Sequence, residues 1–138
     1  MTKSKGFTLI ELLVVIGIIA ILFGIVIIAV NPARQFAQSR NTQRRSDVRT
    51  ILDACWEYAA DHNGNIPSVI PATPTHIGTG AGNIDLTPDL VPNYLTAIPH
   101  DPNGDDADTL YEISHDTNNR ITVNATAAEL GETISVTR

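Results

Sequence analysis

Between residues 101 and 108 the sequence reads Asp-Pro-Asn-Gly-Asp-Asp-Ala-Asp, placing the oxygen-bearing side chains of Asp101, Asn103, Asp105, Asp106 and Asp108 within eight positions. Such crowding is the donor set of a hard cation, and calcium takes about six to eight oxygens of this kind. The spacing is not that of a twelve-residue calcium loop, which needs its glycine and a distal glutamate at fixed offsets. A solvated acidic loop is therefore the competing reading. The four histidines, His62, His76, His100 and His115, lack the paired spacing of a zinc site. No Gly-x-Ser-x-Gly or comparable nucleophile–base motif occurs, so an enzyme is not expected. Gly78-Thr79-Gly80-Ala81-Gly82 superficially matches a phosphate-binding turn, but neither a preceding strand nor a following helix is evident, and a flexible loop is expected there. Cys55 is the single cysteine, which excludes an intrachain disulfide, and its position on a helix face suits a small buried apolar group. Asn124-Ala125-Thr126 is a glycosylation sequon by pattern alone.

Glu11 poses a sharper problem. It is the only charge in a run of 24 residues, 7–30, that is otherwise almost wholly apolar. As a helix the run spans roughly 36 Å, enough for a bilayer core of about 30 Å. That is longer than the roughly 7–15 apolar residues of a secretory signal, and Asn31-Pro32-Ala33-Arg34 follows in place of a small-x-small cleavage site. A carboxylate at such depth costs about 3 kcal/mol unless it is neutralised. Either Glu11 is protonated towards lipid, or it meets a cation at the same depth. Cutting between Gly6 and Phe7 would create one, the α-amino group of Phe7, four residues from Glu11 and on the same helix face. Formed between two chains, the same pair would set the register of neighbouring helices.

The residues Lys5-Gly6-Phe7-Thr8-Leu9-Ile10-Glu11, leading into the aliphatic run, resemble the class III signal of type IV prepilins and pseudopilins. The resemblance implies that prepilin peptidase, a membrane aspartic protease, removes Met1 to Gly6 and N-methylates Phe7. It also implies that Glu11 is the family's assembly glutamate. The leader would carry Lys3 and Lys5 on the cytoplasmic face. The count of positive charges opposes that orientation, because Arg34, Arg40, Arg44, Arg45 and Arg49 follow the span and basic flanks favour the cytoplasm. The leader motif is the more specific signal, and it sets the expected orientation with the C-terminal part outside.

Val48, Ile51, Leu52, Cys55 and Ala59 recur at helical spacing beyond the span, and Asn63-Gly64 with Pro67 supplies a stop. The spacing predicts one helix from Phe7 to about His62, with Pro32 as the place for a bend, since proline removes a backbone donor. Gly17 and Gly24 weaken it by about 1 kcal/mol each relative to alanine. Its first half is apolar all round and belongs in lipid, later in a filament core, while the stripe on its second half should pack on a head domain. Residues 65–109, rich in Pro, Thr, Gly and Asp, read as a long irregular connection. Leu110–His115 and Arg120–Ala125 alternate across a turn-prone Asp116–Asn119 link, predicting a hairpin. Glu132–Thr137 predicts a third strand, with Ile134 and Val136 on one face.

Charge divides along the chain. Residues 1–49 hold seven of the nine Lys/Arg against Glu11 and Asp47, while 50–138 hold Arg120 and Arg138 against 13 acids. An acidic head repels phosphate, which argues against DNA as a partner. The arginines from 34 to 49 suit anionic lipid headgroups or neighbouring subunits, set against the plain reading of a solvated helix face.

The expected fold is thus α+β. A cleaved leader (1–6) precedes a transmembrane or filament-core helix (7–30), its amphipathic continuation (31–64), and a globular head with a small antiparallel sheet (65–138), as in pilins. Asn63-Gly64-x-Ile66-Pro67 and Leu90-Val91-Pro92-x-Tyr94-Leu95-x-x-Ile98-Pro99-x-Asp101-Pro102-x-Gly104 are similar to turns of major pseudopilins, with Asn103 where those carry tryptophan. Some members of that group bind calcium in the head. The resemblance implies a filament subunit that partners itself, prepilin peptidase, an assembly platform and its ATPase, and membrane lipid before assembly, with no required cofactor. It would begin in the bacterial cytoplasmic membrane and end in an extracellular or periplasmic filament. A major pseudopilin of type II secretion, and a membrane-tethered module whose head binds calcium or another ligand, are the alternatives.

Overall fold

A computed structural model describes residues 6–138; the expected leader, apart from Gly6, lies outside the described residues. Two compact units divide the chain, the first ending at Phe36 and the second running from Ala37 to Arg138.

The first unit is built on α1, Leu9–Val30, apolar on every side and with no buried residue within the single chain. Thr8 caps its start in an extended conformation, and Asn31 ends it at φ 47°, ψ 77° in the left-handed region. Asparagine tolerates that region better than other non-glycine residues. Pro32 then opens α2, Pro32–Asp61. A proline suits a first helical position, where its missing N–H would have had no partner. Asn31 also serves the new helix, since its Oδ1 accepts from the Arg34 N–H at 3.3 Å. The single helix expected from Phe7 to His62 is therefore two helices, interrupted at the residue before the proline.

In the second unit α2 buries Ala37, Asn41, Arg44, Val48, Ile51, Leu52, Ala54, Cys55 and Ala59. The helix closes on Asn63 and Gly64, both left-handed, with the Gly64 N–H bonded back to the Ala59 carbonyl at 2.7 Å. A glycine there avoids the Cβ penalty of this helix stop. Four antiparallel strands follow in the order β1-β2-β3-β4. They are β1 Thr75–His76, β2 Tyr111–His115, β3 Ile121–Ala125 and β4 Ile134–Thr137, with one short helix, α3 Thr87–Leu90, between β1 and β2. Register pairs Ile113 with Val123, and Val123 with Val136. Asp116 closes the β2–β3 turn by accepting the N–H groups of Asn118 and Arg120 on one carboxylate oxygen.

Val48, Ile51, Leu52 and Cys55 of α2 share one buried cluster with Tyr111, Ile113, Ile121 and Val123 of the sheet. Each such aliphatic side chain contributes about 1.5–3 kcal/mol on burial. The segment 65–109 is not a structureless connection. It adds Ile70, Ile77, Leu86 and Leu90 to the same core. Backbone bonds fix it as well, from the Ile77 N–H to the Tyr111 carbonyl at 2.8 Å and from the Thr109 N–H to the Ile77 carbonyl at 3.0 Å.

Candidate functional site

At the N-terminal end, Gly6 and Phe7 are exposed, Phe7 at 86%. Thr8 and Glu11 form a capping box. The Glu11 N–H donates to Thr8 Oγ1 at 3.3 Å, while Glu11 Oε2 accepts from the Thr8 N–H at 2.9 Å and from Thr8 Oγ1 at 2.7 Å. Reciprocal bonds of this kind satisfy donors that no helical carbonyl reaches, and they set a carboxylate at the positive end of the helix dipole. Glu11 thus has local partners before any neighbour is present. The sequence carries the signal in Thr8-x-x-Glu11, a capping-box pattern that treating Glu11 only as a charge in need of a cation does not use. The helix that follows is long and apolar enough to cross a membrane.

The arginine run has a different outcome from the one its sequence suggests. Arg44 is fully buried and forks onto Asp101, Nε to Oδ2 and Nη2 to Oδ1 at 3.0 Å. Its Nη1 donates to Asn41 Oδ1 at 2.9 Å and to Glu129 Oε2 at 2.7 Å. Arg40 also forks onto Glu129, at 2.7 and 2.6 Å. Asn41 holds the Glu129 backbone in both directions, accepting from its N–H at 3.0 Å and donating to its carbonyl at 2.9 Å. Arg45 pairs with Glu132. Three of the five arginines therefore clip the C-terminal segment and the 101 loop to α2. Among the described residues, Arg34 and Arg49 alone of the five have no carboxylate partner. These ion pairs hold Glu129 down at about 2, through its bonds from Arg40 first and Arg44 second. They also raise Arg44, with Asp101 the leading cause.

The acidic loop is built largely around its own backbone. Asp101 is buried in the Arg44 pair, and its Oδ1 also accepts from the Asn103 N–H. Asp105 Oδ1 accepts the N–H groups of Ala107 and Asp108 at 2.9 Å each. Asp108 Oδ1 bonds His76 Nδ1 at 2.8 Å and takes the Leu110 N–H, and His76 with that N–H holds its carboxyl below the usual range. Asn103, Asp105 and Asp106 are exposed. Among the described residues no three acidic, histidine or cysteine side chains converge as a metal cluster would require. His62 stacks on Tyr58 with ring centroids 3.8 Å apart, and His100 and His115 face neighbouring backbone carbonyls. Cys55 is buried, and burial pushes its thiol up to about 12.

The glycine-rich loop spends its donors internally. The Gly78 N–H bonds Ile84, the Thr79 N–H bonds Asp106 and the Gly80 N–H bonds Ala107, each to a backbone carbonyl at 2.9 Å. A Cβ on Gly78 would stand 2.2 Å from the Ala107 carbonyl oxygen. Glycine is there to let two backbone segments touch, and these three amides are not free to hold a phosphate.

No curated protein and no solved structure matches the chain. Its first 27 residues do match a family model, and they carry the prokaryotic N-terminal methylation motif.

Proposed function

We propose that this protein is a structural subunit of a type IV pilus-like filament. It enters the membrane as a precursor through α1, is cut after Gly6, is N-methylated at Phe7 and polymerises through its N-terminal helix. Prepilin peptidase and an assembly platform with its ATPase are the partners this route requires. The observation that carries the reading is the methylation motif over residues 1–27 joined to a helix of 22 residues that is apolar on all sides. Such a helix has no place in water, and a bundle of its copies buries what one chain leaves bare. The exposed α/β unit supplies the outer surface of the polymer and no chemistry.

Glu11 is the residue on which assembly turns. In one chain it caps its own helix; in the polymer its charge meets the methylated amine of a neighbouring Phe7. Glutamine serves the capping box as glutamate does but has no charge. Glu11→Gln therefore separates the two roles. It should insert and be cut normally yet give no filaments by electron microscopy. Filaments at the native level from this variant would end the charge-pairing mechanism, and a native chain that retains Met1–Gly6 would end the filament reading itself.

A further inference from the structure

The second unit carries complementary charge at its two sheet edges, and we infer that Arg49 of one copy docks into an acidic cavity on the head of the next. This contact rests on the filament reading and adds to it a head-to-head interface outside the N-terminal helices. Residues 7–138 contain no lysine, so arginine is their only side chain with a fixed positive charge. Arg40, Arg44, Arg45, Arg120 and Arg138 have carboxylate partners within their own chain. Arg49 is the one arginine of the unit with no such partner among the described residues, and it is exposed. It lies beside β4, in a groove lined by Arg45, Val48 and residues 133–136.

The opposite edge is built to receive a cation. A cavity of about 300 Å³ opens directly after β1, with Ile77, Leu86, Val91 and Ile98 among its walls and Asp85 and Asp106 on its lining. Asp106 is exposed, and among the described residues its carboxylate has no partner, the contacts of this residue being made by its backbone carbonyl. Asp85 is exposed too and uses one oxygen on the Thr87 N–H. Apolar walls suit the methylene stem of an arginine, and the carboxylates suit its guanidinium fork. A lysine would use the walls and the charge but lacks the fork, and a metal ion would use the charge alone.

Topology makes the contact intermolecular. β1 and β4 are the two edges of a sheet ordered β1-β2-β3-β4. At about 4.8 Å per strand they stand roughly 14 Å apart, and Arg49 and the cavity flank opposite edges, so the side chain cannot reach its own cavity. A knob at one edge and a socket at the other form a heterologous contact, the kind that passes from copy to copy as a filament needs and does not close into a two-fold dimer.

The test uses full-length protein assembling in its native membrane. Arg49→Glu and Asp106→Arg should each lower filament yield at least tenfold, and the two changes combined in one chain should restore it. Neither side chain has a partner to lose within the described structure, so both variants should keep the native melting temperature of the head. Arg49→Cys and Asp106→Cys, made in separate copies and co-expressed, should be joined by a short thiol cross-linker in filaments, and neither alone should be. Native Cys55 is buried and does not interfere. Native filaments that persist undiminished in Arg49→Glu, with no mixed cross-link, overturn this contact and leave the filament reading standing. A native chain that forms no filaments removes that reading and this contact together.

Discussion

Arg44 and Asp101 lie 57 residues apart in sequence and form an ion pair with no solvent exposure on either side chain. It sits among further polar groups: Asn41 and Glu129 accept from Nη1, which Asp101 does not reach, and the Asn103 N–H donates to the carboxylate. Breaking a buried pair by deleting one partner costs about 3–5 kcal/mol, because the other charge is left without compensation. Arg44→Ala should therefore destabilise the head by about 3 kcal/mol, lowering its melting temperature by more than about 10 °C. Removing both charges with groups of similar size should not cost as much. Arg44→Met with Asp101→Leu is expected to recover most of the loss in thermal melts, since well-packed apolar replacements of buried pairs are often neutral. A double variant no better than Arg44→Ala would mean that the network specifies the fold and not merely its stability.

Glu129 sets the acid limit of the same clip. Its folded carboxyl is depressed from 4.5 to about 2, first by Arg40 and then by Arg44. A depressed acid stabilises the folded state above its unfolded value and loses that stabilisation as pH falls towards the folded one. The margin of the native head over Glu129→Gln should thus be full above about pH 5 and should shrink between pH 4.5 and about 2. Urea unfolding followed at a series of pH values measures it. No margin over Glu129→Gln at any pH in that interval would place the stabilising role of Glu129 in its backbone bonds to Asn41 instead of its charge.

The clip shows what the sequence made legible and what it withheld. Ala37, Asn41, Arg44, Val48, Ile51 or Leu52, and Cys55 advance in steps of three and four, so one continuous stripe of α2 faces inward. The apolar half of the stripe gives Val48 to Ala59 alone, and Arg44 stands by sequence with arginines suited to lipid headgroups, neighbouring subunits or solvent. A charge standing on a buried stripe was the available signal. Its partners at 101 and 129 were not, because no local pattern ties residues so distant. The three longer strands followed from alternation; burial keeps the period of two along β3, while buried Ser114 breaks it in β2. β1 was missed because two residues carry no periodicity, and α3 because four residues with a proline near the start look like a turn. The acids at 101–108 were legible as a cluster. That Asp101 turns inward to Arg44 depends on the folded head, which no spacing of carboxylates encodes.

The glycine loop makes a steric prediction. Gly78 meets the Ala107 carbonyl so closely that a Cβ would overlap it at 2.2 Å, and backbone there cannot swing aside as a side chain would. Gly78→Ala should separate the 78–80 strip from 106–107 and cost about 1–3 kcal/mol as an overpacked contact. Gly82→Ala, with nothing within 4 Å of its Cβ but a φ of 88°, should be strained only through its backbone. Hydrogen exchange distinguishes them, since Gly78→Ala alone should expose the Thr79 and Gly80 amides.

Processing can be read from amine chemistry. Lys3 and Lys5 are the only lysines in the sequence, and both precede the proposed cut after Gly6. Their removal leaves residues 7–138 two units more negative than the whole sequence at −6, with the amine of Phe7 as the sole remaining amine. An amine-reactive mass tag applied to denatured protein should therefore modify both lysines of the precursor and no side chain of the processed chain. In the processed chain it should stop at a single label on Phe7, a secondary amine if the methyl group is present. Blocking the cut should preserve the lysine labels in the same cell fraction. Filaments whose subunits still carry tagged Lys3 or Lys5 would show that assembly does not need the new amine, and Glu11 would then have only Thr8 and the helix dipole to answer to.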